Sequence, residues 1–137
     1  MTAAYLLDTN VVSESMKRRP NQAVVEWLAG VGNAGYLSVL TIGELRRGER
    51  MLARRDPRQA EAVATWIAGI EDAYRDQIID LDIPAATRWG EISATGRTLP
   101  IVDALIAATA LAHDLTLVTR NVQDFEGLDV RTLNPFG

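Results

Sequence analysis

Tyr5-Leu6-Leu7-Asp8-Thr9-Asn10-Val11-Val12 is the stretch on which the fold turns. A short apolar run goes directly into Asp8-Thr9-Asn10, side chains suited to opening a helix, and further apolar residues follow. It reads as a buried strand feeding a helix N-terminus. The same grammar recurs outward from it. Tyr36 to Val39 predicts a second strand, followed by a helix from Thr41 to about Arg55. Ile78, Ile79 and Leu81 predict a third, ahead of a helix opened by Pro84 and running through Trp89 and Ile92. The alanine-rich stretch Ile101 to His113 predicts a helix, with Leu115 to Val118 a fourth strand after it and Val130 to Leu133 a short fifth.

Between these, Asn21 is placed to cap a helix carrying Val24, Val25 and Leu28 with Trp27 beside them, broken by Gly30, Gly32 and Gly35. Asp56-Pro57 reads as a helix restart, because proline is well placed in a first turn. Ala60, Val63, Ala64, Ile67 and Ile70 then fall on one helical face. Gly96 to Pro100 is a loop. Short apolar strands alternating with helices predict an α/β fold around a mostly parallel sheet, as one domain over residues 1–137.

Composition removes whole classes of chemistry. A hydrophobic content of 47% argues against disorder. The absence of cysteine excludes disulfides, thiolate zinc sites and a cysteine nucleophile. His113 is the only histidine, which leaves no histidine-rich metal site; it reads as a helix C-terminal residue favourably placed for the dipole. Catalysis, if present, is built from carboxylates. The N-terminal run lacks a basic segment, and no apolar stretch reaches the roughly eighteen residues of a membrane span, so a cytoplasmic protein is expected.

The formal charge of −4 argues against nucleic-acid binding by bulk charge, but the charge is segregated. Arg46, Arg47, Arg50, Arg54, Arg55 and Arg58 are opposed in their stretch only by Glu49 and Asp56. A smaller cluster is Lys17-Arg18-Arg19. The arginines read either as a phosphate-contacting surface, with Arg46, Arg47 and Arg50 nearest Glu44, or as a solvated face with pairs such as Arg46 and Glu49.

The acids are placed more tellingly. Asp8 follows the first strand, Glu44 lies in the expected first turn of the helix after the second, and Asp124 follows the fourth beyond Thr119-Arg120-Asn121. Groups beyond the carboxyl ends of parallel strands converge on one edge. Asp103 interrupts Ile101-Val102-Asp103-Ala104-Leu105-Ile106, an otherwise buried-looking helix, where a charge is costly unless paired or bound to a cation. Each acid also has a plain structural use. Asp8 can be a helix cap, Glu44 the partner of Thr41 in a capping box, Asp124 a turn closer, and Asp103 a first-turn acid or a partner for Arg120. Taken together, four acids at one sheet edge without His or Cys suit Mg²⁺ or Mn²⁺ and phosphodiester hydrolysis.

Leu6-Leu7-Asp8-Thr9-Asn10-Val11-Val12-Ser13-Glu14, Ser38 to Gly48 around Glu44, Asp103-Ala104-Leu105-Ile106-Ala107-Ala108, and Leu117 to Phe125 occur in an order and spacing that resembles PIN-domain nucleases. Within that superfamily the chain is similar to VapC-type toxins, in particular the FitB-like branch, which shares the Asp-Thr-Asn-Val-Val-Ser-Glu opening and an ending like Asn134-Pro135-Phe136. The resemblance implies an α/β/α sandwich and a Mg²⁺- or Mn²⁺-dependent endoribonuclease. Asp8, Glu44 and Asp103 match its three acidic positions, with Asp8 and Asp103 the expected metal ligands. Thr9 and Thr119 match positions that orient carboxylates and water. Many relatives carry an aspartate where this chain has Asn121, and Asp124 follows three positions later; which one fills the fourth position stays open. The resemblance further implies a homodimer, assembled with an antitoxin into a heterotetramer or larger. Two other functions compete with the toxin. One is a weakly catalytic or non-catalytic partner of a DNA-binding antitoxin in an autoregulatory complex. The other is a nuclease for RNA or DNA processing without an antitoxin.

Overall fold

Residues 3–137 are described by a computed structural model of the chain; Met1 and Thr2, the start of the N-terminal run, lie outside the described residues. Five strands form the sheet: β1 (Tyr5–Leu7), β2 (Gly35–Ser38), β3 (Ile78–Ile79), β4 (Thr116–Val118) and β5 (Thr132–Leu133). Their order is β3-β2-β1-β4-β5 and every pairing is parallel, so the expected mostly parallel sheet is wholly parallel. β1 is central, with Leu7 registered on Val118 of β4 and Leu6 on Tyr36 of β2. The chain steps outward from β1 through β2 to β3, then crosses back to β4. That reversal puts a topological switch point between β1 and β4, where open parallel sheets form a crevice.

Among the described residues six α-helices flank the sheet: α1 (Thr9–Glu14), α2 (Gln22–Val31), α3 (Val39–Ala53), α4 (Pro57–Ala73), α5 (Ile83–Ser93) and α6 (Ile101–Ala112). Strand alternation divides the core between the two faces. Leu6 and Leu117 pack with Ile92 of α5 and Ala104, Ile106, Ala107 and Ala108 of α6. Leu7, Leu37 and Val118 point the other way, onto Val11 and Val12 of α1, Val24 of α2, Leu45 of α3 and Ile67 of α4. Both faces of the sheet are therefore covered, which is why the strands read as apolar runs rather than alternating ones.

Several helix ends follow their sequence signals. The Asn21 side chain accepts from the Val24 amide, Asp56 from Gln59 and Asp82 from Ala85. His113 ends α6 and its Nε2 lies 2.7 Å from Asp82 Oδ2, tying α6 to the start of α5. Other boundaries move. Helix α3 opens at Val39, capped by Ser38 through the Leu40 amide, so Thr41 is inside the helix and buried, not a cap. The capping-box role for Thr41 and Glu44 is thereby removed, and Glu44 moves to the second turn. Gly30 stays within α2, which breaks only at Gly32, whose φ is +53°. Leu81 lies outside β3 and is 43% exposed. Among the described residues, no helix is long and apolar enough to cross a membrane.

Candidate active site

Asp8 leaves the carboxyl end of β1 and caps α1, as its plain structural reading expects. One of its oxygens accepts from the Thr9 amide at 2.8 Å. The other accepts from the Thr119 hydroxyl at 2.8 Å and the Asn10 amide at 3.3 Å. Asp8 is only 6% exposed, and burial pushes its carboxyl above the ordinary range despite these donors. A cap alone needs one oxygen near backbone N–H groups. This carboxylate is fixed at both oxygens, one of them by a side chain 111 residues away.

Thr9 directs its hydroxyl to Glu44 Oε1 at 2.5 Å, joining α1 to α3. Thr119 is fully buried at the end of β4; besides donating to Asp8 it accepts from the Asn121 amide at 3.1 Å. Asn10 completes the arrangement. Its Nδ2 reaches Asp8 and the Thr119 hydroxyl, and its Oδ1 accepts from the Arg120 amide at 3.1 Å. The sequence reading treats Asn10 as part of a helix opening and assigns it no role. Its carboxamide is in fact what locks the loop after β4 onto the end of β1.

Asp103 stands in the first turn of α6, where helix amides favour an acid. Its carboxyl is pushed up to about 6, first by burial and then by the charges of Asp8, Glu44 and Asp124, in that order. Three acids from separate parts of the chain therefore act electrostatically on Asp103. Among the described residues no hydrogen bond offsets the effect there. The alternative partner, Arg120, instead lies over the Phe136 ring, 4.8 Å from its centroid. Asp124 sits in a single 3-10 turn, Val122–Phe125, with its amide bonded to the Asn121 carbonyl at 3.0 Å and Phe125 buried as the anchor. Asp124 adds its charge to those acting on Asp103, while Asn121 is neutral and joins the site through its amide bond to Thr119.

Among the described residues, no three acidic or histidine side chains make a ready-formed metal cage. The donor set nevertheless fits a hard divalent cation, because Mg²⁺ is ordinarily held by one or two carboxylates with water completing its shell. Among the described residues the Asp103 and Asp124 carboxylates accept no hydrogen bond, Glu44 accepts one from Thr9, and Asp8 is fixed at both oxygens.

The arginines divide. Arg46 forms an ion pair with Glu71 of α4, not with Glu49, and so braces two helices. Arg47, Arg50 and Arg54 are exposed and line one shallow depression with Met51 on the outer face of α3. The helix that holds Glu44 thus presents guanidinium groups from its next turn onward.

Comparison with known proteins gives a consistent result. The family model for the PIN domain matches residues 5–130. Toxin FitB of Neisseria gonorrhoeae is 34% identical over 138 residues, covering 96% of this chain and 97% of that protein. VapC ribonuclease Y4jK of Sinorhizobium fredii is 31% identical over 137 residues, covering 96% of each. Among solved structures, that of FitAB bound to an IR36 DNA fragment contains a chain matching with a TM-score of 0.87 at 32% identity, over 97% of this chain and 96% of that one.

Proposed function

This chain belongs to the PIN-domain family, and from that premise we propose that it is a metal-dependent endoribonuclease acting as the toxin of a toxin–antitoxin pair. The observation that carries the reading is Asp103: a partly buried carboxyl raised by the charges of three other acids, with no hydrogen bond among the described residues to relieve it. Such a cluster works against folding stability, and a bound cation is what turns the repulsion into attraction. A purely scaffolding partner of an antitoxin has no use for it.

Asp8 and Asp103 are the residues that would hold Mg²⁺ or Mn²⁺, and the ion would supply Lewis-acid stabilisation of phosphate charge and activation of water. The rest is the work of the chain. Thr119 and Asn10 fix the Asp8 carboxylate by donating to one of its oxygens, leaving lone pairs free. Thr9 holds Glu44 at the rim, where its carboxylate can accept a proton from an attacking water. Asp124 adds negative charge from the far side, and Asn121 positions its turn through a backbone bond. Arg47 and Arg50 contact the RNA backbone along α3. Arg46, bound to Glu71, supports this surface instead of joining it.

The partner reading is of the same kind. The FitAB structure is named as a DNA-bound complex, and by that likeness this protein pairs with an antitoxin, as a homodimer within a heterotetramer or larger assembly in the cytoplasm. The experiment is direct. Purified protein, freed of its antitoxin, is incubated with RNA in EDTA and then with added Mg²⁺ or Mn²⁺, beside an Asp103→Asn control. Cleavage that needs the ion and vanishes in the control supports the proposal. RNA left intact under every condition, or cut equally well by the control, refutes it.

A further inference from the structure

Arg97 lies in the loop between α5 and α6, six residues ahead of Asp103, and its side chain is exposed. Exposed arginines usually meet water or a carboxylate. This one forms no ion pair among the described residues and spends its donors on backbone. Its Nη2 donates to the Asp124 carbonyl at 2.7 Å, and its Nη1 donates to the Glu126 carbonyl. Two acceptors two residues apart suit the rigid fork of a guanidinium, which a lysine amine cannot reproduce.

The turn is shaped to receive that fork. Gly127 has φ +87°, and a Cβ there would stand 2.9 Å from Arg97 Nη1. The positive φ favours glycine at this position, and any Cβ there would displace the flexible tip of Arg97 from its two carbonyls. At its other end the turn is tied to the site: Thr119 accepts from the Asn121 amide, and the Asp124 amide donates to the Asn121 carbonyl. Thr119 also holds Asp8. Asp124 is thus suspended between a residue that fixes Asp8 and one rooted just before the helix that carries Asp103.

We propose that Arg97 is a positioning residue that sets where Asp124 stands relative to Asp103, acting through the backbone of the Val122–Phe125 turn and touching neither substrate nor metal. The inference rests on the nuclease reading above and adds to it a residue that the acidic pattern does not include. Outer supports of this kind typically contribute roughly tenfold to a hundredfold to activity.

The test is a double-mutant cycle of Arg97→Ala and Asp124→Asn, with bulk bacterial tRNA and Mn²⁺, read as kcat and KM. Arg97→Ala should lower kcat roughly tenfold or more with KM unchanged, and Arg97→Lys should recover part of the loss. The double variant should be no slower than the slower single one, because both act through one carboxylate. Amide hydrogen exchange of Arg97→Ala, measured without RNA or metal, should rise across residues 121–128 and nowhere in the sheet. Wild-type kcat in Arg97→Ala overturns the proposal, as do losses that multiply in the double variant or exchange that rises throughout the protein. Intact tRNA with the wild-type protein would count against the nuclease reading. The exchange measurement would then still decide whether Arg97 holds the turn.

Discussion

Replacing Asp103 by asparagine should make the metal-free protein more stable at neutral pH, and by an amount that disappears in acid. In the folded chain the Asp103 carboxyl is pushed up to about 6 from an ordinary 3.8. Below about pH 3 both folded and unfolded chains hold the proton, and Asp103 costs nothing. Between about pH 3 and 6 the unfolded chain ionises first, so it binds fewer protons and stability falls as pH rises. Above the folded pKa the penalty is complete. Taken at face value the shift corresponds to about 3 kcal/mol. Solvent screening of a partly exposed carboxyl reduces it, and Asn forfeits about 0.3–1 kcal/mol of favourable interaction with the helix N-terminus. A net gain of about 1–2 kcal/mol remains.

Urea titration in EDTA at pH 4 and pH 7.5 reads the effect. With a slope of about 1–3 kcal/mol per molar for a small protein, Asp103→Asn should raise the midpoint by roughly 1 M at pH 7.5 and leave it nearly unchanged at pH 4. The buried Asp8 carboxyl is also raised, so the wild-type curve contains its penalty too. Comparing the variant with wild type at each pH cancels most of that contribution. An equal gain at both pH values would mean that packing is responsible and not charge. A lower midpoint at pH 7.5 would show that the four acids are not in mutual repulsion, and the argument for a cation would fall with them.

Asp124→Asn should reduce cleavage less than Asp103→Asn and leave one ion bound in a Mn²⁺ titration, since Asp124 acts from a turn at the edge of the cluster; a variant as inactive as Asp103→Asn and unable to bind any ion would show that Asp124 is a principal ligand. Arg47→Ala and Arg50→Ala should each weaken RNA binding and lower the salt slope by about one. Arg46→Ala should instead lower the melting temperature, because it breaks the pair with Glu71 that joins α3 to α4. Unchanged affinity and salt slope in the Arg47 and Arg50 variants would leave that face of α3 without a role in RNA binding.

The central strands are legible because β1, β2 and β4 carry short apolar runs that feed the two cores, a pattern that survives without knowledge of partners. Helix α3 begins two residues before the predicted start at Thr41, for a local reason. Val39 and Leu40 continue the apolar character of β2, and only the Ser38 side chain, accepting from the Leu40 amide, marks where the helix begins. Asp8, Glu44, Asp103 and Asp124 stand out as acids at strand ends or in an apolar helix, and the charges of the other three act on Asp103. What stayed hidden was whatever depends on distance along the chain. Arg46 had a near neighbour in Glu49, but the packing of α4 supplied Glu71, 25 residues on. Asn10 looked like an ordinary helix opener, since its partner Thr119 is 109 residues away. Arg97 is the extreme case. Its acceptors are main-chain carbonyls, which every residue possesses, so the contact selects no particular side chain at Asp124 or Glu126. Its one trace in the sequence is Gly127, where any Cβ would meet the guanidinium. A glycine can mark many kinds of turn, and only the fold shows that an arginine binds the carbonyls beside this one.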